Sequence, residues 1–322
     1  MKGKILALFL FILIFSACSQ DDPEIDGNES GLIENQSISI QGENRQYHLF
    51  IPSGVENSSL LFLLHGNGSS YNDLTGLNNV KSPYKPWLDI AEDENIILVI
   101  PNGNIGSSNR RGWNDCRSDA PTNPNSADVL FISSLIDFII DTYQADSGKV
   151  YALGTSNGGH LCIRLAEEIP DKLTAFGAIL ASNAINSQCL RSNVPISALF
   201  MNGTSDPILP YEGGEMAFDR GEVLSTEASV NYWIDKNNTN AVPQISSFDD
   251  IDVNDNSTVE KHLYLNGTDN TEVVLYKVIG GGHTEPSIEE RYNSIFLSLT
   301  GNQNGDIEMA NEVWAFFKNK SR

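Results

Sequence analysis

The sequence of 322 residues predicts an α/β protein with a mostly parallel central sheet and helices on both faces. Three observations support this prediction. Short apolar runs alternate along the chain with longer segments of helical periodicity. Most of these runs are apolar throughout, as is typical of strands that are buried on both faces. Residues able to do chemistry follow directly after several of the runs, and the carboxyl ends of parallel strands meet at one edge of a sheet.

The predicted elements of the first half are strands at 46–51, 59–65 and 96–100, a helix at 86–93 and a helix at 127–143 that Ser126 would cap. A strand at 149–153 and a helix at 161–169 follow. The second half predicts strands at 175–180 and 196–201, a helix at 226–235, a strand pair at 259–265 and 272–279, and a final helix at 307–318.

The N-terminal segment, residues 1–17, has the features of a secretory signal: a basic start, an apolar run at 5–15 and a pair of small residues. Cys18 follows directly, as in the lipobox of bacterial lipoproteins, although Phe15 stands where leucine is usual. The sequence therefore predicts cleavage before Cys18, lipidation of that residue and an outer-membrane lipoprotein on the periplasmic face or the cell surface. An ordinary signal peptide with a chance cysteine is the alternative.

Residues 18–36 are polar and acidic, which predicts a flexible tether, and residues 37–322 are enough for one large domain. The formal net charge of −22 repels nucleic acid and anionic membranes, and it suits a neutral substrate or simply solubility.

Apart from Cys18, the chain has three cysteines, so one disulfide would leave one thiol over. We expect Cys162 in the core, and a Cys116–Cys189 pair is one possibility. The cysteine spacing does not match a zinc site, so we expect no metal.

The motif Gly154-Thr155-Ser156-Asn157-Gly158 lies between a predicted strand and a predicted helix. A sharp turn there would lift the Ser156 hydroxyl out of the sheet at the helix N-terminus, where a nucleophile can be activated. The alternative is a glycine-rich turn with a bystander serine.

An activated serine needs a base, and the base needs an orienting carboxylate. Of the five histidines, His283 is the best base, because it follows a predicted strand and three glycines. Asp206 follows another strand and could orient it, with a simple Asx turn as the alternative. The chain order Ser156, Asp206, His283 is the order of an α/β-hydrolase.

The oxyanion of such a reaction needs backbone N–H donors. Asn157, directly after the serine, and Asn67, in the loop after an early strand, are the predicted donors. Trp113, Asn114 and Tyr211 are candidate substrate-binding residues, each with packing as the alternative.

Four segments resemble the polyhydroxybutyrate depolymerase and feruloyl esterase family, which is related to the family 1 carbohydrate esterases: residues 64–66, 154–159, 202–211 and 280–283. The similarity spans roughly residues 45–320. It implies secreted serine esterases, with Ser156, Asp206 and His283 as nucleophile, acid and base and with no cofactor. Two positions depart from the family pattern: Asn67 stands where cysteine is usual, and Thr284-Glu285-Pro286 stands where a Trp-Pro pair is usual.

The sequence therefore predicts a secreted serine esterase that hydrolyses feruloyl esters of plant polysaccharide. Within enzymes, the alternatives are an acetylxylan esterase, a polyhydroxybutyrate depolymerase or a peptidase of the same fold. The alternative from another class is a surface glycan-binding protein on a catalytically dead hydrolase scaffold.

Overall fold

The structure, a computed structural model, describes residues 30–77 and 82–322. The predicted signal peptide, Cys18 and the tether as far as residue 29 lie outside the described residues. Fourteen strands occur in the described part: β1 (Gly31–Ile40), β2 (Glu43–Ile51), β3 (Ser59–Leu64), β4 (Ile96–Pro101), β5 (Asn104–Ile105), β6 (Arg111–Gly112), β7 (Val150–Thr155), β8 (Ala175–Ile179), β9 (Ser197–Gly203), β10 (Gly214–Glu215), β11 (Glu222–Val223), β12 (Gln244–Ser247), β13 (Thr258–Tyr264) and β14 (Val273–Ile279).

The helices are α1 (Tyr71–Leu74), α2 (Pro86–Asp93), α3 (Asp128–Tyr143), α4 (Asn157–Glu168), α5 (Thr226–Asn237), α6 (Ser294–Thr300) and α7 (Met309–Phe317). Short 3₁₀ turns occupy Ser82–Tyr84, Pro170–Lys172 and Thr268–Asn270. None of the helices in the described ranges is long and apolar enough to cross a membrane.

Ten strands form one sheet in the order β1-β2-β4-β3-β7-β8-β9-β14-β13-β12. The central strands from β4 to β14 pair in parallel, whereas β1, β2, β12 and β13 pair antiparallel at the two ends. The central strands have buried side chains on both faces, which explains why they read as continuous apolar runs. The loops that follow β7, β9 and β14 therefore meet at one edge, which we name the carboxyl edge.

Two buried clusters cover the two faces of the sheet. One packs α3, α4 and α5 through side chains that include Phe131, Leu161 and Trp233. The other packs α2 and α7 through side chains that include Trp87 and Phe317. The predicted α/β class, with helices on both faces of a mostly parallel sheet, is confirmed.

The N-terminal boundary of the domain needs a correction. The predicted tether reached residue 36, but β1 begins at Gly31 and pairs antiparallel with β2. Its side chains are mostly half-buried or exposed, so the strand carries little of the apolar signal that marks the central strands. Gly31 pairs with Ile51, and Tyr47 of β2 pairs with Pro101 at the end of β4. The chain therefore enters β1 at the edge of the sheet opposite the carboxyl edge.

The predicted cap of α3 is wrong. Ala127 is the N-cap residue, and its side chain makes no capping bond. The hydroxyl of Ser126 instead donates to Asp128 Oδ2 at 2.8 Å. The same carboxylate pairs with Arg45 through its other oxygen at 2.7 Å, so a distant strand fixes the start of this helix.

Cys116 and Cys189 form a disulfide between residues 73 positions apart, and Cys162 is a buried free thiol. The pairing joins the long loop after β6 to the segment between β8 and β9. A bridge that closes so long a loop restricts the unfolded chain strongly.

We expect the Cys116→Ala/Cys189→Ala double variant to lose about 2–5 kcal/mol of unfolding free energy, because its unfolded chain regains loop entropy. Urea unfolding measures the loss. Dithiothreitol should lower the unfolding midpoint of the unmodified protein and leave that of the double variant unchanged. Equal midpoints for the two oxidised proteins would contradict the expectation.

Candidate active site

Ser156 lies at the sharp turn between β7 and α4. Its backbone has φ 52° and ψ −119°, a region that a residue with a side chain adopts only under strain. Its N–H donates to the carbonyl of Ile179 in β8 at 2.8 Å, which fixes the turn to the sheet. A Cβ on Gly158 would lie 2.2 Å from the carbonyl oxygen of Leu64, so only glycine fits where the helix passes β3.

His283 and Asp206 lie in the loops after β14 and β9. His283 Nδ1 and Asp206 Oδ2 are 2.6 Å apart, and the Asp206 side chain has no exposed surface. The other carboxylate oxygen accepts the N–H groups of Ile208 at 2.7 Å and Leu209 at 2.8 Å. Asp206 thus forms an Asx turn with one oxygen and bonds His283 with the other. The Asx turn and the bond to the base, which are alternatives from the sequence alone, are both present.

Glu285 joins the nucleophile turn to the His283 loop. This fully buried carboxylate accepts the hydroxyl of Thr155, the neighbour of Ser156, at 2.5 Å. It also accepts the hydroxyls of Tyr292 at 2.5 Å and Tyr84 at 3.4 Å. Burial raises the pKa of both tyrosines, so both keep the protons that they donate. Sequence reasoning noted Glu285 only as a departure from the family pattern; an acidic residue two positions after the candidate base was the available signal.

The loop after β3 lies directly against Ser156. A Cβ on Gly66 would stand 3.4 Å from Ser156 Cβ, so the loop that contains Asn67 passes against the serine. Asn157 occupies the first turn of α4, where backbone N–H groups have no partner inside the helix. The two predicted N–H donors therefore belong to segments that flank the serine.

The Asn157 side chain is held by the loop after β6. Its Oδ1 accepts the N–H of Trp113 at 2.7 Å, and its Nδ2 donates to the Trp113 carbonyl at 3.1 Å and to Asp115 Oδ2 at 2.7 Å. Asp115 forms a buried ion pair with Arg117 at 2.5 Å. Burial acts to raise the pKa of Asp115, but the charge and hydrogen bonds of Arg117, together with the nearby His160, outweigh it and lower the pKa, so the carboxylate stays charged.

The three candidate substrate-binding residues take part in packing and hydrogen bonding. Trp113 has no exposed surface and donates from Nε1 to the His65 carbonyl at 2.8 Å, so it supports the loop from behind. Asn114 donates to Asp128 and Ser126, and the buried Tyr211 donates its hydroxyl to Glu227 at 2.8 Å. The packing alternative accounts for Trp113 and Tyr211.

The remaining histidines of interest have structural environments. His65 Nε2 accepts the Gly103 N–H at 3.0 Å while its Nδ1 lies 2.8 Å from the Gly66 carbonyl, so the ring shapes the turn. His160 is buried; burial first, and then the nearby Arg117, lower its pKa to about 3. A histidine with so low a pKa is too weak a base to take the hydroxyl proton of Ser156. Over the described ranges no three His, Cys, Asp or Glu side chains are grouped to hold a metal ion.

The lowered pKa of His160 makes stability depend on pH. The unfolded residue takes up its proton near pH 6.5 and the folded one only near pH 3, so this contribution is complete above pH 6.5 and is lost as the pH falls towards 3. At pH 5 we expect a cost of about 2 kcal/mol. His160→Gln should therefore lose less unfolding free energy between pH 7 and pH 5 than the unmodified protein. Equal losses in urea titrations at the two pH values would contradict this.

Known proteins resemble this chain in sequence over about half of its length and in fold over most of it. The chain is 33% identical over 184 residues to a probable feruloyl esterase C from Aspergillus terreus, an alignment that covers 54% of this chain and 59% of the relative. It is 28% identical over 173 residues to a bifunctional acetylxylan esterase/xylanase from Neocallimastix patriciarum, covering 53% and 23%. No protein-family model matches.

Among solved structures, a thermostable esterase superposes with a TM-score of 0.54 at 15% identity, covering 89% of this chain and 63% of that one. The chain spans less than two thirds of the length of each of these three proteins. The predicted resemblance to feruloyl esterases is confirmed. The chain has the α/β-hydrolase fold, and over about half of its length it is a homologue of feruloyl and acetylxylan esterases.

Proposed function

We propose that this protein is a serine esterase that hydrolyses carboxylic esters of plant polysaccharide, with feruloyl esters as the first candidate substrate. The observation that carries the proposal is the buried 2.6 Å bond between His283 and Asp206, at the same edge of the sheet as a serine with strained backbone. The similarity to a probable feruloyl esterase supports the substrate class.

The reaction begins at Ser156. The bond to Asp206 uses Nδ1 of His283 as the donor, which leaves Nε2 as the basic nitrogen. Nε2 takes the hydroxyl proton of Ser156, and the oxygen attacks the ester carbonyl. The N–H groups of Asn157 and Asn67 bind the oxyanion that forms. His283 then gives its proton to the departing alcohol, which leaves an acyl group on Ser156. In the second half, His283 takes a proton from water, the water oxygen attacks the acyl carbonyl, and His283 returns the proton to Ser156 as the acid departs. No cofactor takes part.

Acetyl esters are the second candidate. The similarity to a bifunctional acetylxylan esterase/xylanase favours them. An acetyl group is also small and needs no pocket for an aromatic acid. The polyhydroxybutyrate alternative rests on the resemblance of the motifs alone. A catalytically dead glycan-binding protein would have no use for a buried carboxylate that holds the base in one tautomer.

We further propose, from the N-terminal sequence, that Cys18 carries a lipid that anchors the protein to the outer membrane on the periplasmic face or the cell surface. The net charge of −22 argues against a nucleic-acid partner.

The purified protein should hydrolyse methyl ferulate, an aryl acetate or a short hydroxybutyrate oligomer in a serine-dependent way. Ser156→Ala should lower kcat by on the order of 10³-fold or more, because the attacking oxygen is gone, and Asp206→Asn by about 10⁴-fold, because the imidazole takes the wrong tautomer. Ser246→Ala, at an exposed position in β12, is the matched control. Turnover of all three esters that survives Ser156→Ala would overturn the mechanism.

Glu285 acts through its neighbours, so it is a positioning residue. The two oxygens of Glu285 accept hydrogen bonds from three hydroxyl groups. Glu285→Gln replaces one of these oxygens by an NH₂ group, which cannot accept, so the contact between Thr155 and the His283 loop is weakened. We expect kcat to fall about tenfold at an unchanged KM, since a small misplacement of reacting groups costs rate more than binding. The rates are normalised by titration with a serine-directed phosphonate.

The exposed Glu289→Gln on the same loop is the matched control for that experiment and should keep the unmodified kcat. If Glu285→Gln lowers the fraction of protein that the phosphonate titrates but leaves kcat per titrated site unchanged, Glu285 only stabilises the fold.

A further inference from the structure

Two arginines flank the loop that contains Asn67. Arg220 Nη2 lies 3.5 Å from Asn67 Oδ1. On the next residue, a Cβ at Gly68 would stand 3.6 Å from Cδ of Arg110. Arg220 is half-buried and Arg110 is exposed, so both residues keep surface that a bound molecule can reach. A cationic rim therefore borders the oxyanion side of the candidate active site.

Arg220 is held in place by the loop that supports Asn157. It lies at the tip of the β10–β11 hairpin, and its carbonyl accepts a hydrogen bond from Arg117 Nη1 at 2.8 Å. Arg117 is itself fixed by Asp115, whose carboxylate also bonds Asn157. Three polar contacts in series thus connect the hairpin tip to the residue after the nucleophile, so the position of Arg220 is set by the active-site framework.

The backbone at the hairpin tip is strained. Phe218 and Asp219 both have positive φ, 66° and 53°, and a bulky residue such as phenylalanine rarely adopts this conformation. The turn holds the Phe218 ring 70% exposed, with the Arg220 guanidinium 5.2 Å from its centroid. An exposed apolar ring beside a guanidinium offers a flat face together with a positive charge.

The charges of this rim are not neutralised within the described residues. Neither Arg110 nor Arg220 has a carboxylate within 4.0 Å there, whereas the neighbouring Arg117 is paired with Asp115. Burial, and then Arg117 and Arg110, lower the pKa of Arg220, as expected for a cation among cations. Of the nearby acids, Asp119 Oδ2 and Glu222 both accept from Asn186, while Asp119 Oδ1 is buried and accepts no hydrogen bond within the described residues.

We propose that Arg220 and Arg110 form a subsite for a carboxylate carried by the ester substrate, as in esters of polysaccharides that contain uronic acids. The inference rests on the proposed function and narrows its substrate class. Guanidinium groups bind carboxylates through paired, charge-assisted hydrogen bonds, and the Phe218 ring can pack against the apolar face of a sugar. The carboxylate can belong to the alcohol part or to the acyl part of the ester, and the test separates the two.

The net charge of −22 suited a neutral substrate, but it acts at long range and is screened beyond about 8 Å in physiological salt. Within that distance, Arg220 and Arg110 determine the local electrostatic attraction for a carboxylate. A half-buried guanidinium is screened less than an exposed one, so its contact with a carboxylate keeps more of its strength.

The test compares matched pairs of esters that differ in one charge. On the acyl side, 4-nitrophenyl hemisuccinate is compared with its methyl ester; on the alcohol side, an acetylated methyl glucuronoside is compared with its methyl ester. We expect the unmodified protein to have the higher kcat/KM for the anionic member of at least one pair. Arg220→Gln should reduce that ratio about tenfold, the size of one lost charge-assisted contact.

Arg220→Lys keeps the charge and should retain part of the ratio, and Arg110→Gln should reduce it less than Arg220→Gln does. Arg191→Gln, which removes an equal charge at an exposed position beside Tyr232, should leave the ratio unchanged. A ratio unaffected by both Arg220→Gln and Arg110→Gln overturns the subsite. Serine-dependent hydrolysis of the neutral esters in that case leaves the proposed function standing, whereas no serine-dependent turnover of any ester overturns the function itself.

Discussion

The close passage of α4 past the carboxyl end of β3 is the constraint on which the site depends. The first turn of the helix approaches the carbonyl of Leu64 so closely that only glycine can occupy position 158. This proximity forces Ser156 into its strained backbone conformation and brings the loop at Gly66 against the serine side chain. The packing of the surrounding sheet offsets the free-energy cost of that strain, since β3, β7 and β8 are buried on both faces.

Buried carboxylates then set the positions of the surrounding loops. Asp206 bonds the His283 loop, Glu285 bonds the end of β7, and Asp115 bonds the side chain of Asn157. A buried carboxylate is costly unless its oxygens are satisfied, and each of these three accepts several hydrogen bonds. The loops around the serine are therefore joined by directional polar contacts, in contrast to the apolar packing that holds the sheet and helices together.

The sequence predicted the central strands and the larger helices because full burial leaves a continuous apolar run or a clear helical period. It did not predict β1, whose mostly exposed or half-buried side chains carry no such signal. The strand-end positions of Ser156, Asp206 and His283 were visible because local motifs mark them, whereas their distances depend on sheet order. Glu285 and Arg220 were missed because their partners lie far away in sequence: Thr155 and Tyr84 for one, Asn67 for the other. The burial of Trp113 was not visible either, because an aromatic residue in a polar loop can face inward as readily as outward.

The direction in which the chain enters the sheet gives the domain a polarity. β1 begins at the edge opposite the carboxyl edge, so Gly31 lies at the end of the sheet away from Ser156. Any segment that precedes β1 is therefore joined to the domain at the end of the sheet opposite the catalytic loops. The point of attachment itself leaves the loops around Ser156 uncovered.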